Sequence, residues 1–316
     1  MSFSGDVKEE LSKKIGSSRH CQIAELAAII YAMGYIEVSE EGIPRLYLQN
    51  ENSQVNRKFF TILKKAFNID KGIFENEKPN EKHINGRIYH RIEADESLIM
   101  QVLMSLRITD ETHEIRSLED GVNPIIVRNS CCKRAFLRDT FLCIGSMSDP
   151  NKSYHMEFVC GSLIQAEEIK AMIESFDIES KIIQRKKYYV VYLKEGSGIV
   201  DLLNVMEAPV SMMEMENLRI VKDVRNSVNR RVNCEAANIT KTVNAATKQV
   251  EDITYIRDHY GLDKLQDSLR ETAEARLQYP EASLVELGKY LDPPVGKSGV
   301  NHRLRKLSEI ADKIRF

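Results

Sequence analysis

The 316-residue sequence lacks the long apolar run that a membrane-spanning helix requires. Its longest apolar stretches, residues 23–35 and 136–147, are interrupted by charged residues. They are also shorter than a bilayer-spanning helix, which needs about 20 apolar residues. The first ten residues also lack the basic-then-apolar order of a secretory signal. With 15 glycines and 8 prolines, the composition excludes collagen-like chains and wholly disordered chains. We therefore expect a soluble, cytoplasmic protein without a membrane partner.

The sequence also lacks the cysteine and histidine spacings of common metal sites. No two cysteines form a Cys-x-x-Cys pair, and no His-Glu-x-x-His motif occurs. The adjacent Cys131 and Cys132 have no turn between them, and a zinc ribbon needs that turn for its ligands to converge. We therefore interpret the cysteines as reduced thiols, buried or half-buried, and expect no metal and no cofactor. The six cysteines are Cys21, Cys131, Cys132, Cys143, Cys160 and Cys234.

A strong net charge is absent too, because 45 Lys and Arg oppose 47 Asp and Glu, a net charge of −2. This average conceals an asymmetry. Residues 1–218 hold 27 basic and 33 acidic residues, whereas residues 219–316 hold 18 and 14, so the two parts carry net charges of −6 and +4. Such asymmetry is typical of an acidic body joined to a basic binding module. Arg225, Arg230 and Arg231 form a basic stretch for which we predict secondary phosphate contacts.

Within the acidic part, the same order of predicted elements occurs twice. In each copy an apolar helix ends at a glycine, Gly34 or Gly145, in the manner of a helix C-cap, and strands then alternate with amphipathic helices. The two glycines are 111 positions apart. The pattern predicts an α+β fold with a duplicated body and an all-α C-terminal domain. The predicted domains are residues 1–125, 126–218 and 219–316, with a hinge near the polar segment 226–231.

Two short motifs near the C-terminus predict a pair of helices joined by a turn. Ser283 and Glu286 have the spacing of a capping box, and Leu284, Leu287 and Leu291 form the apolar stripe of the helix that follows. Asp292-Pro293-Pro294 ends that helix, and Ser298 is the predicted cap of the next one. The apolar stripe of the second helix consists of Val300, Leu304, Leu307, Ala311 and Ile314.

The face opposite that stripe carries basic and amide side chains that suit DNA. Arginine pairs with guanine, asparagine pairs with adenine, and lysine at a helix N-terminus neutralises phosphate. The arrangement is that of a helix-turn-helix at about residues 282–315, and a solvated surface helix is the alternative interpretation. Gly296-Lys297-Ser298 resembles the end of a P-loop, but Leu291 stands where its first glycine belongs, which excludes that motif. The predicted DNA contacts are Lys297, Ser298, Asn301, His302, Arg303, Arg305 and Lys306.

Residues 282–306 resemble the C-terminal signature of the WhiA family, and residues 3–11 and 229–238 are similar to other segments of that family. The resemblance implies a degenerate LAGLIDADG homing-endonuclease body followed by a helix-turn-helix. It also implies a sequence-specific transcriptional regulator of cell division, chromosome segregation and sporulation in Gram-positive bacteria. Its partner would be double-stranded promoter DNA at the nucleoid, with the protein's own gene as a candidate target.

The resemblance also bears on catalysis. In active homing endonucleases an acidic residue directly before the final glycine of each leading helix holds the catalytic metal. Met33 and Ile144 occupy those positions here and offer no oxygen ligand, and Asp139, about a turn and a half before Ile144, is a poor substitute. We therefore predict that the chain is not an enzyme and that its body positions the tail or contacts other proteins. Two alternatives stay open, namely a metal-dependent endonuclease with replacement ligands and a scaffold whose basic tail binds proteins.

Overall fold

The computed structural model describes residues 2–40, 42–49, 53–69, 81–84, 87–92, 95–110 and 114–315. Contacts divide the chain into two compact units, residues 1–222 and 223–316. Within the described ranges, no helix combines the length and the apolar character needed to cross a bilayer.

The first half of unit 1 folds into helices around a four-stranded antiparallel sheet. The elements in order are α1 (Phe3–Ser12), α2 (Arg19–Met33), β1 (Gly34–Val38), β2 (Pro44–Gln49), α3 (Ser53–Phe67), β3 (Glu81–Ile84), β4 (Arg87–Arg91) and α4 (Glu96–Ser105). The strand order is β1-β2-β4-β3, and β1 follows α2 without a connecting loop.

The second half of unit 1 repeats this arrangement. The elements in order are α5 (Ser130–Ile144), β5 (Gly145–Met147), β6 (Met156–Cys160), α6 (Leu163–Glu174), β7 (Lys181–Arg185), β8 (Tyr188–Leu193) and α7 (Gly196–Val205). The antiparallel sheet has the order β5-β6-β8-β7, which is the same topology as the first sheet, so the predicted duplication and α+β class are confirmed.

Helices α2 and α5 pack against each other and join the two repeats. Small buried side chains, among them Ala27, Ala28 and Thr140, allow the close approach. The glycines that end these helices have a different role from the predicted one. Gly34 and Gly145 are extended, with φ of −85° and −83°, rather than left-handed. A Cβ at Gly34 would lie 2.4 Å from the carbonyl oxygen of Ile30, so the close contact, and not φ, requires glycine.

Helix α1 was not among the predicted elements, yet it belongs to the core of unit 1. Val7 and Leu11 are completely buried. The carboxylate of Glu10 accepts hydrogen bonds from the backbone N–H groups of Val210 and Ser211, both at 2.9 Å. These residues begin the helix after α7, so Glu10 satisfies donors that a helix N-terminus leaves without intrahelical partners.

That helix, α8 (Pro209–His259), is continuous, and the predicted hinge at residues 226–231 is wrong. The segment from 210 to 259 contains neither glycine nor proline, and polar residues alone do not end a helix.

Unit 2 is helical and has its own apolar core. After α8 come a short 3-10 helix at Leu262–Lys264, then α9 (Asp267–Gln278), α10 (Leu284–Lys289) and α11 (Lys297–Arg315). Helices α9, α10 and α11 contact one another pairwise. Its buried core includes Ile253, Ile256, Leu269, Ala273, Leu287, Leu291, Val300, Leu304, Leu307 and Ala311.

Candidate nucleic-acid interface

Helix α10 begins where the capping box places it. The N–H of Glu286 donates to Ser283 Oγ at 3.3 Å, and the N–H of Ser283 donates to Glu286 Oε2 at 2.9 Å. Each residue therefore satisfies the backbone donor of the other. Leu287 and Leu291 are buried, while Leu284 is half-buried. Local signals in the sequence thus position the first helix of the motif.

The turn between α10 and α11 depends on Gly288. The N–H of Val295 donates to the Gly288 carbonyl at 2.9 Å, which folds the turn back onto α10. A Cβ at Gly288 would lie 2.0 Å from the Val295 carbonyl oxygen, so a larger residue does not fit. Helix α11 begins at Lys297, so Ser298 lies inside its first turn rather than at the predicted cap.

Helix α11 separates an apolar stripe from a polar face. Val300, Leu304, Leu307 and Ala311 are buried as predicted, and Ile314 is half-buried. At about 100° per residue, Asn301, His302 and Arg305 lie within about 60° of Ser298 around the helix axis. Lys306 lies at about 80° from Ser298, next to this group. The exposed polar side chains are Ser298, Asn301, His302, Arg305, Lys306 and Lys297.

Arg303 is placed differently from the other predicted contacts. It is half-buried, and its Nη1 donates to the carbonyl of Ser268 at 3.3 Å and to Thr272 Oγ1 at 3.4 Å. Glu271 Oε2 lies 3.8 Å from the same nitrogen. Arg303 therefore points away from the exposed face of α11 and toward α9, and its hydrogen bonds hold the two helices together.

Arg305 has an intrahelical partner on the exposed face. Its Nε lies 3.4 Å from Glu309 Oε1, and the two side chains are 79% and 60% exposed. Ion pairs in water at this exposure contribute little because solvent screens them. Arg305 can therefore exchange Glu309 for another acceptor at small cost.

Arg276 is a structural residue that the sequence prediction missed. It is 2% exposed, and its Nη1 donates to the carbonyl of Ala282 at 2.7 Å and to that of Pro280 at 3.3 Å. Burial lowers the pKa of Arg276. These hydrogen bonds fix the loop that leads from α9 into α10. An arginine on an amphipathic helix is ordinarily exposed, so its sequence position gave no signal of this role.

The three arginines with predicted secondary contacts do not form a patch. Arg225, Arg230 and Arg231 are all exposed on α8. At about 100° per residue they lie at about 0°, 140° and 240° around the axis, so no single face presents all three. Arg231 Nε is also 3.3 Å from Glu235 Oε1.

In the body, the two positions aligned with catalytic acids lie at the C-terminal ends of α2 and α5. Met33 and Ile144 line a cavity of about 670 Å³ in unit 1. Asp139 does not reach that cavity. It is completely buried, and its Oδ1 lies 2.8 Å from Nζ of Lys58. Burial raises the pKa of Asp139, and Lys58 and Arg138 oppose this shift.

Asp139 is one member of a buried network of charges. Arg138 donates to Glu25 and also to Glu207, the latter at 2.6 Å. Glu25 in turn accepts a hydrogen bond from the N–H of Gly16 at 2.8 Å. Cations and the backbone contact these acids, and the Asp139 carboxylate faces Lys58 and Arg138 rather than the cavity.

The sequence matches three family models along its length. Residues 19–109 match the WhiA N-terminal LAGLIDADG-like domain, residues 133–225 the WhiA LAGLIDADG-like domain, and residues 228–311 the WhiA C-terminal HTH domain. The last match contains α9, α10 and most of α11.

Full-length relatives agree with these matches. The chain is 51% identical over 317 residues to "Probable cell division protein WhiA" of Lachnoclostridium phytofermentans, with 100% of both proteins covered. It is 44% identical over 316 residues to the protein of the same name from Thermoanaerobacter pseudethanolicus, covering 100% of the chain and 98% of the relative. A crystal structure of full-length DUF199/WhiA from Thermatoga maritima matches with a TM-score of 0.58 and 25% identity, covering 99% of each chain.

Proposed function

The chain belongs to the WhiA family, and from this premise we propose that it is a sequence-specific DNA-binding transcriptional regulator. The observation that carries the proposal is the exposed polar face of α11, supported from behind by a buried apolar stripe. A recognition helix must present such a face while the rest of its motif holds it rigidly.

Each exposed residue at the start of α11 has a role in this proposal. Arg305 reads guanine through two donors, and Asn301 pairs with adenine, while His302 and Ser298 contact neighbouring base edges or sugars. Lys297 and Lys306 bind phosphate groups, assisted by the unpaired N–H groups of the first turn. Arg303 is omitted from this set because its guanidinium is bound to α9.

The names of the relatives are the basis for proposing which genes this chain regulates. Since the relatives from Lachnoclostridium and Thermoanaerobacter are called probable cell division proteins, we place this chain at promoters of genes for cell division, chromosome segregation and sporulation. Its own gene is a candidate target. The working location would be the nucleoid in the cytoplasm.

The LAGLIDADG-like body acts in this proposal as a protein-binding or positioning module without nuclease activity. Met33 and Ile144 supply no oxygen ligands, and Asp139 is held by Lys58. Supercoiled plasmid incubated with the protein and Mg²⁺ or Mn²⁺ should stay intact. Cleavage by the wild type would instead support the alternative of an endonuclease with replacement ligands.

The central test compares binding to a promoter fragment, found by footprinting, with binding to a scrambled fragment of equal length. The wild type should prefer the promoter fragment. Replacing Asn301 and Arg305 with alanine should remove about 1–3 kcal/mol of that preference per lost base contact. Lys313→Ala is the control, since it removes a positive charge from the last turns of the same helix. Equal affinity of the wild type for both fragments would contradict the proposal and favour a protein-binding tail.

A further inference from the structure

Four side chains with metal-binding atoms converge at the N-terminal ends of α2 and α5. They are His20 and Cys21 from α2 and Cys131 and Cys132 from α5, and their ligand atoms all lie within 4.8 Å of one another. Nδ1 of His20 lies 3.2 Å from Sγ of Cys132, 3.4 Å from Sγ of Cys21 and 4.0 Å from Sγ of Cys131. One imidazole nitrogen is therefore surrounded by three sulfur atoms.

The size of this cluster matches a tetrahedral zinc site. Bond lengths of about 2.3 Å for Zn–S and about 2.0–2.1 Å for Zn–N place nitrogen and sulfur about 3.6 Å apart around the metal, and two sulfurs about 3.8 Å apart. The three nitrogen–sulfur distances in the structure lie on both sides of that value. Shifts of a few tenths of an ångström would bring these three distances to the tetrahedral value, and the 4.8 Å limit places no sulfur–sulfur pair more than about 1 Å above its own value.

The duplication explains how adjacent residues can share one site. His20 lies 14 residues before Gly34, and Cys131 lies 14 residues before Gly145. The pair of His20 and Cys21 in the first repeat is therefore equivalent to the pair of Cys131 and Cys132 in the second. Within one helix, neighbouring side chains diverge by about 100°. Because α2 and α5 pack side by side, the two pairs approach each other from opposite sides. Convergence thus comes from two helices and does not need a turn between the cysteines.

The charge balance and the two helix N-termini favour a thiolate-bound cation. Three thiolates and a neutral imidazole around a divalent ion carry a net charge of −1, and the positive ends of two helices stabilise a negative charge. The loop before α2 packs against one ligand of the cluster, since a Cβ at Gly16 would lie 2.7 Å from Cβ of Cys21. Hydrogen bonds from Gly16 to Glu25 and from Gln22 to Gly16, both 2.8 Å, hold that loop in place.

We propose that His20, Cys21, Cys131 and Cys132 bind one zinc ion that joins the two LAGLIDADG-like repeats. Four protein ligands leave no position for water, which is the arrangement of a structural and not of a catalytic zinc. The site lies about 20 Å along α2 from Met33, since the helix rises about 1.5 Å per residue. The proposal therefore depends neither on DNA binding by α11 nor on whether the positions of Met33 and Ile144 support catalysis.

The test measures zinc in the full chain, purified without a polyhistidine tag. Mass spectrometry of metals should find one zinc per chain in the wild type and in Cys234→Ser, whose exposed thiol lies on α8 outside the cluster. Cys131→Ser should lose zinc affinity by about 100-fold or more, which exceeds the loss from changes that merely support a ligand. Cys131→His should retain zinc, because two cysteines and two histidines also form a tetrahedral site.

A second measurement does not depend on the folding of the serine variant. Wild-type protein stripped by a chelator should have a lower Tm that recovers with Zn²⁺ and not with Mg²⁺. Co²⁺ should give the absorption of a tetrahedral site with three thiolates. Absence of zinc from the wild type, no recovery with Zn²⁺, or a disulfide between Cys21 and either Cys131 or Cys132 in the purified protein would each overturn the proposal. Equal zinc loss in Cys234→Ser and Cys131→Ser would do so as well.

Discussion

The two units of this protein use charged residues in opposite ways. Unit 1 buries Glu25, Lys58, Arg138 and Asp139 in one network, and each is at most 2% exposed. In unit 2, helix α11 packs through an apolar stripe, and nearly all of its charged side chains are exposed to solvent. The same residue types therefore fix packing in the body and, on the exposed face of α11, remain available for recognition. The difference predicts which substitutions affect folding and which affect DNA binding.

The largest effect is expected for Lys58→Met, which leaves Asp139 without its nearest cation. Removing one partner of a buried ion pair costs about 3–5 kcal/mol of unfolding free energy, because the remaining charge stays desolvated. Chemical denaturation measures this loss. Lys13→Met is the control, since Lys13 pairs with Glu9 on the surface of α1 and should leave stability unchanged. Similar results for the two variants would show that the network does not stabilise the body.

A smaller loss of stability is expected for Arg276→Met, which removes a buried charge from unit 2. This change leaves the carbonyl groups of Pro280 and Ala282 without their donor, at a cost of about 1–3 kcal/mol. The loop before α10 should become mobile, so affinity for DNA should fall without a change in sequence preference. Hydrogen exchange of residues 279–283 reports the loop, and Arg270→Met, on the exposed side of α9, serves as the control. Unchanged exchange would contradict a positioning role.

Lys297→Ala should weaken binding to all DNA sequences equally. As a phosphate contact, Lys297 carries no sequence information, and its loss should reduce the slope of log affinity against log salt by about 1. Lys313→Ala, in the last turn of the same helix, should change that slope less. A selective loss of promoter binding in Lys297→Ala would instead show that this lysine reads a base.

The smallest effect is expected for Glu309→Gln. This change frees Arg305 from its surface ion pair and removes a negative charge near the phosphates, so affinity for DNA should rise by about twofold or less. Titration at low salt gives the greatest sensitivity. A fall in affinity would mean that Glu309 orients Arg305 for its contact.

The sequence predicted those features that depend on local signals. The capping box at Ser283 and the stripe from Val300 to Ala311 need only spacing along one helix, and both are confirmed. Strands β1 and β5 were not predicted, because they begin at Gly34 and Gly145 directly after a helix, where no turn marks the change. The orientation of Arg303 depends on α9, which helical periodicity in α11 does not describe.

The cluster of His20 and three cysteines was missed for a related reason. Motif spacing assumes ligands from one stretch of chain, whereas these come from equivalent places in two repeats. The equal distance of each pair from its glycine was the signal available in the sequence. Features that arise between distant segments therefore require the tertiary structure, even when their residues are conspicuous.

Helix α1 has a practical consequence for anyone who shortens this protein. The first family match starts at residue 19, after α1 has ended. A chain trimmed to that boundary would lose Val7 and Leu11 from the interior and would leave the amides of Val210 and Ser211 without the Glu10 carboxylate. A shortened body should therefore keep the chain from Phe3 onward.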